Sequence, residues 1–167
     1  IANDTLDDTQ AFLDAMNACP DSTAVYIPNG TYIISQRLSI PKNNIVIRGE
    51  DKFQTIISFP QYIYEIYPND DRTKLGVFIT FSGGSNRGIE NLSLIFRDQQ
   101  KGPRHWGDVV GGSPQTAEYL GAVPILFTSG EQDSWIQDVY IKNANYGLII
   151  RGTTTSRITA QGIILDE

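Results

Sequence analysis

The feature that most constrains this chain of 167 residues is a short apolar pattern that recurs along it. The clearest copy covers residues 135–143, and the pattern returns over 88–94 and, more weakly, over 42–47. The polar position of the pattern is occupied by Asn44, Asn91 and Asp138, at intervals of 47 residues. A short fourth copy follows 24 residues later, with Gly162 at the corresponding position. Repetition at such a period is typical of repeat proteins, and here the repeated unit is a short strand. The pattern therefore predicts a coiled parallel sheet.

Segments with apolar and β-branched residues follow one another from residue 24 to residue 165, separated by brief polar, glycine or proline turns. One stretch differs, because residues 8–18 place Phe12, Leu13 and Met16 on one face of a helix that Pro20 would end. We predict that this helix covers one end of the strand array, since a terminal repeat would otherwise expose its interior. The chain is thus predicted to be one domain over 1–167.

Two segments lack the strand pattern, residues 60–76 and residues 97–121. Loops longer than about 12–15 residues are uncommon inside a compact domain and are often functional. We therefore predict that both segments are long loops that leave the strand array.

Composition excludes several classes of function. The net charge is −6, so the composition does not indicate a basic surface for nucleic acid or anionic lipid. No apolar run approaches the roughly 18 residues of a membrane span. Cys19 is the only cysteine, so an internal disulfide is excluded. The predicted partners therefore include neither nucleic acid nor a membrane.

The order of three motifs resembles the pectate-lyase-like superfamily of carbohydrate-active proteins. These motifs are DDTQAF over residues 7–12, VYIPNGTYII over 25–34 and IENLSL over 89–94. The resemblance implies an all-β right-handed parallel β-helix, a solenoid, that is secreted, periplasmic or at the cell surface and acts on a polysaccharide. Family members generally run to several hundred residues, so we expect a fragment of a longer β-helix, with further coils or self-association at its C-terminal end.

The candidate chemistry lies mainly in the segment 97–121. His105 can move a proton near neutral pH, Arg104 can grip a carboxylate, and Trp106 can pack against a sugar ring. Asp108 lies nearby in sequence and Tyr119 adds a second aromatic side chain for substrate binding. The alternative is that Trp106 packs the loop against the sheet and that His105 is an ordinary surface residue.

Asp133 is the third candidate catalytic residue, beside His105 and Asp108. With Asp138 it brackets the start of a strand, where a carboxylate could project from the solvent face of the sheet. The alternative is that both are turn residues that satisfy backbone N–H groups. No cofactor is predicted, because Asp70 and Asp71 alone are too few oxygen ligands to indicate a Ca²⁺ site.

These residues lead to a functional prediction with two alternatives. The leading one is cleavage of an extended, acidic polysaccharide, either by a lyase that removes a proton beside a uronate carboxylate or by a glycoside hydrolase that uses two carboxylates. One alternative is a non-catalytic glycan-binding or tailspike-like adhesion module. The other is a fragment that lacks its active site. Clustered acids beside the aromatic loop would favour the enzyme, and a flat polar face without them would favour the binder.

Overall fold

The computed structural model describes residues 2–61, 76–97, 122–144 and 146–166. One α-helix, α1, comes first and spans Thr9–Ala18. The described strands are β1 Thr23–Ile27, β2 Gly30–Ile33, β3 Leu38–Ser39, β4 Ile45–Gly49, β5 Thr55–Phe59, β6 Gly76–Ser82, β7 Gly88–Phe96, β8 Ala122–Thr128, β9 Trp135–Lys142, β10 Leu148–Ile150, β11 Thr159–Gln161 and β12 Ile164–Asp166.

The strands form two parallel sheets. The smaller sheet has the order β10-β8-β6-β3 and four strands, and the larger has eight. In the larger sheet, β7 pairs with β4 through its first residues and with β5 through its last ones, while β9 lies along its other edge. Strands β1 and β2 extend the sheet beyond β4 and β5, and β11 and β12 extend it beyond β9. Every pair among these strands is parallel.

A column of left-handed residues crosses the larger sheet where β7 changes its partner from β4 to β5. Asn91 in β7 has φ 57°, Asp138 in β9 has φ 52°, and Gly162, between β11 and β12, has φ 66°. Asn and Asp tolerate this conformation better than other non-glycine residues, and Gly adopts it freely. The Asn91 side-chain amide donates to the carbonyl oxygens of Gly49 and Glu50, at 3.0 and 2.9 Å. These bonds satisfy backbone acceptors where the neighbouring strand ends.

The core lies between the two sheets. Phe59 from β5 and Phe96 from β7 stack at 5.0 Å between ring centroids, and Phe78 from β6 meets Phe96 edge-on at 4.7 Å. Phe81 and Phe127, from β6 and β8, stack at 4.6 Å. All five rings are at most 2% exposed. Both sheets therefore bury their aromatic side chains in the same interior.

The repeat interval predicted from the sequence is confirmed in one place and wrong in another. Ile89 pairs with Ile136 in parallel register, an interval of 47 residues, and both side chains are 1% exposed. Ile47 pairs with Ile89, however, which is an interval of only 42. Asn44 corresponds to Asn86, whose amide donates to it at 2.9 Å, because both precede a strand whereas Asn91 lies within one.

The predicted fold class, an all-β right-handed parallel β-helix (solenoid), needs correction. The described strands divide between two separate parallel sheets, and together with α1 they form an arrangement of the α/β type rather than one solenoid. A repeated strand pattern predicts which strands pair, but it does not say how those pairs are shared between sheets. The connections decide that point, and the predicted loops 60–76 and 97–121 lie almost wholly outside the described residues.

Candidate functional site

The outer face of the larger sheet carries a row of polar and aromatic side chains. Successive side chains of a strand point to opposite faces, so the buried Ile47, Ile89 and Ile136 fix the direction of their neighbours. Arg48, Glu90 and Gln137 follow these buried positions, and parallel pairing places Tyr26 beside Arg48 and Gln161 beside Gln137. We call the five side chains the outer ladder: Tyr26, Arg48, Glu90, Gln137 and Gln161. With strands about 4.8 Å apart, the ladder extends ~19 Å across the sheet.

Trp135 lies on the same face, two residues before Gln137 in β9. Its indole covers Gly88 so closely that a Cβ at Gly88 would lie 2.3 Å from the ring atom Cε2. The indole Nε1–H donates to the Glu90 carboxylate at 3.2 Å, and the side chain remains partly exposed. The indole is thus held against the sheet by its contact with a glycine on the next strand and by the hydrogen bond that it donates to the ladder residue Glu90.

Charge on the outer ladder is balanced and partly exposed. The Arg48 Nε donates to Glu90, with side-chain exposures of 51% and 17%. Gln137 and Gln161 add uncharged amides that can both donate and accept hydrogen bonds. The face therefore offers an aromatic ring, an arginine, a carboxylate and amides in one row.

Asp133 is the one predicted catalytic residue that the structure describes. It lies in the turn before β9 with φ 51°, and its carboxylate accepts two bonds from the Arg157 guanidinium, one of them from Nη2 at 2.7 Å. These hydrogen bonds lower the pKa of the Asp133 carboxyl. A lowered pKa suits a carboxylate that stays ionised in an ion pair, and it does not suit a general acid.

Asp133 and Asp138 were predicted to act from the solvent face near the start of the strand. Both side chains are about half exposed, at 48% and 47%, and each has a cation nearby: Arg157 binds Asp133, and the Lys52 Nζ lies 3.8 Å from Asp138 Oδ1. Both carboxylates also occupy left-handed turn conformations. The left-handed backbone fits the turn positions of the alternative, while the hydrogen bonds described for these two carboxylates come from the side chains of Arg157 and Gln137.

Arg104, His105, Trp106, Asp108 and Tyr119 all lie outside the described residues, as do Asp70 and Asp71. Within the ranges that are described, no group of three or more His, Cys, Asp or Glu side chains is placed to hold a metal ion. In those same ranges, no helix has the length and apolar character that crossing a membrane requires.

A buried ion pair lies at the corner that connects the two sheets. Glu131 is 0% exposed, and its carboxylate accepts bonds from the Arg87 guanidinium, from Ser134 Oγ at 2.6 Å and from the Gly84 N–H at 2.8 Å. Arg87 also donates to the Ile40 carbonyl oxygen at 2.6 Å. Burial alone raises the pKa of Glu131, but the bonds from Arg87, Ser134 and Gly84 outweigh it and lower the pKa overall. This cluster joins three turns and is structural, because the partners of both buried charged groups come from within the protein.

The sequence interpretation missed the outer ladder, although a signal for it was present. Tyr26, Arg48, Glu90 and Gln137 each follow a residue of the Val or Ile type within a recognisable strand. That position is the outward one if the apolar residue points inward. A comparison of these positions across the repeats would have found the row.

No family model matches the sequence, and no curated protein or solved structure is similar enough to count as a match. The resemblance to pectate-lyase-like proteins therefore rests on the sequence motifs alone.

Proposed function

We propose that this protein binds an extended polysaccharide along the outer ladder, with Trp135 as the main contact. The observation that carries the proposal is the in-register row of aromatic, amide and charged side chains across five parallel strands, all of them exposed except the half-buried Glu90. Sugar rings have apolar faces, which pack on aromatic rings, and hydroxyl edges, which need hydrogen-bond partners. The row supplies both kinds of group at regular spacing.

The chemistry of the face favours binding over cleavage. Glycoside hydrolysis needs two carboxyl groups on either side of the glycosidic bond. Glu90 is the one acid of the outer ladder, and its oxygens already accept bonds from Arg48 and Trp135. Cleavage by lyase or hydrolase chemistry stays a prediction that depends on His105 and Asp108.

The proposal predicts that Trp135→Ala lowers polysaccharide affinity at least about tenfold, because Trp is among the side chains whose truncation costs most at binding surfaces. Gly88→Ala should have a comparable effect, since its Cβ would displace the indole. Affinity electrophoresis with uronate-containing, sulfated and neutral polysaccharides measures both variants. Phe53→Ala is the matched control, because Phe53 is also exposed, at 59%, but lies off the ladder.

Two results would contradict the proposal. One is that the unchanged protein binds no polysaccharide in the panel. The other is that it binds and that Trp135→Ala, with a native circular dichroism spectrum, binds equally well. Loss of binding in Phe53→Ala alone would move the site away from the outer ladder.

A further inference from the structure

A groove lies between α1 and the first two strands. Its helix side is formed by Ala11, Phe12 and Ala15, and its opposite side includes Tyr26 and Tyr32. The small alanine side chains leave the space between helix and strands unfilled. The groove has no role in the polysaccharide contacts proposed above, apart from sharing Tyr26.

The size of the groove fits a single ring. Its volume is about 190 Å³. An apolar protein cavity of roughly 150 Å³ is large enough to bind benzene. The space therefore suits one six-membered ring with a small substituent.

The walls of the groove are suited to an aromatic ring. Phe12 and Tyr32 meet edge to face, with 5.7 Å between their centroids and 68° between their planes. Phe12 is 6% exposed, whereas Tyr26 is 56% exposed and stands at the boundary with the outer face of the sheet. A planar ring that enters beside Tyr26 would add further edge-to-face or offset contacts, which are the favoured geometries for aromatic pairs.

The charge of the groove disfavours anions. Asp8 lines it, is 6% exposed and accepts a bond from the Ile33 N–H at 3.0 Å. Burial raises the pKa of the Tyr32 hydroxyl, and the negative charges of Asp8 and Glu50 raise it further. A ligand carboxylate would meet the same negative potential in a partly desolvated site.

We propose that this groove is a binding site for a small neutral aromatic ring of the phenol type. Three features support that choice of ligand: the aromatic walls, the volume for one ring and the buried carboxylate. The open side at Tyr26 leaves room for the ring to be carried as a substituent on a larger molecule. The site stands independently of polysaccharide binding and can be tested without it.

The test follows the side-chain methyl signals of the α1 alanines by NMR while phenol is added. We expect the Ala11 and Ala15 signals to shift in a saturable way, whereas Ala18, on the same helix but outside the groove, stays in place. Ala15→Leu should fill the groove and weaken phenol binding at least tenfold, as followed by the Ala11 methyl. Ala18→Leu is the matched control and should bind phenol like the unchanged protein.

Benzoate is the charge control and should bind at least tenfold more weakly than phenol. The proposal is overturned if phenol shifts neither methyl, if the shifts spread evenly over the protein, or if Ala15→Leu binds phenol unchanged. Equal binding of benzoate would overturn the preference for a neutral ring. None of these results bears on whether Trp135 contributes to polysaccharide affinity.

Discussion

Replacing Glu131 with alanine is expected to lower the free energy of unfolding by about 3–5 kcal/mol, because it leaves the buried charge of Arg87 without its counter-ion. The Glu131 and Arg87 side chains are 0% and 3% exposed. The substitution also removes the acceptor for Ser134 Oγ and for the Gly84 N–H. Urea unfolding followed by circular dichroism measures the change. If the slope of the unfolding free energy against urea concentration is unaltered, the change reflects the stability lost with these contacts.

Asp133→Asn is the matched control for this prediction, because asparagine removes the charge but tolerates the left-handed backbone of this position, φ 51°. Asp133 also pairs with an arginine, but the side chains of Asp133 and Arg157 are 48% and 60% exposed, so water screens the pair. We expect almost no change in the free energy of unfolding. If the two variants lost similar stability, the claim that Glu131 joins the turns from inside the fold would be wrong.

Phe96→Ala is expected to cost about 3–5 kcal/mol as well, for a different reason. Truncation of a buried phenylalanine removes transfer free energy and leaves a cavity. Phe96 is 2% exposed and contacts both Phe59 of the larger sheet and Phe78 of the smaller one. The substitution therefore removes a contact that both sheets share.

Phe53→Ala, at a residue that is 59% exposed, provides the comparison on the surface. Its edge contact with Tyr140, at 5.8 Å, is small beside the contacts of Phe96. In thermal unfolding, the midpoint temperature should fall much further for Phe96→Ala than for Phe53→Ala. A loss of less than about 1 kcal/mol for Phe96→Ala would mean that the sheets do not share one core.

Much of the secondary structure could be predicted from the sequence. Short runs rich in Val and Ile between turn residues, such as residues 45–48 and 55–58, are strands because their alternate side chains are buried on one face. The helix begins at Thr9, one residue after the predicted start. Local patterns suffice for such elements because the signals for their beginning and end lie within a few residues.

The register and the fold class needed more than local patterns. The Asn44 motif resembles the Asn91 motif in sequence, but Asn44 ends a turn and Asn91 lies within a long strand. The pairing of Ile47 with Ile89, and not the local sequence, distinguishes these two positions. The division into two sheets likewise depends on contacts between residues far apart in sequence.

The site was harder to predict than the strands. Loop composition drew attention to residues 104–108, because aromatic and titratable side chains in a long loop are a familiar signal. The sequence signal for the outer ladder is weaker, because each of its residues is an ordinary polar or aromatic residue within its own strand. The row becomes visible only when Arg48, Glu90 and Gln137 are placed side by side by parallel pairing.

The most direct test of that pairing is a methyl NOE measurement between β7 and β9. Parallel register predicts cross-peaks between Ile89 and Ile136 and between Leu94 and Ile141, pairs that lie on adjacent strands about 4.8 Å apart. Cross-peaks that instead join Ile89 to Ile141 and Leu94 to Ile136 would show antiparallel strands. Glu90 would then no longer stand beside Gln137, and the outer ladder would not exist.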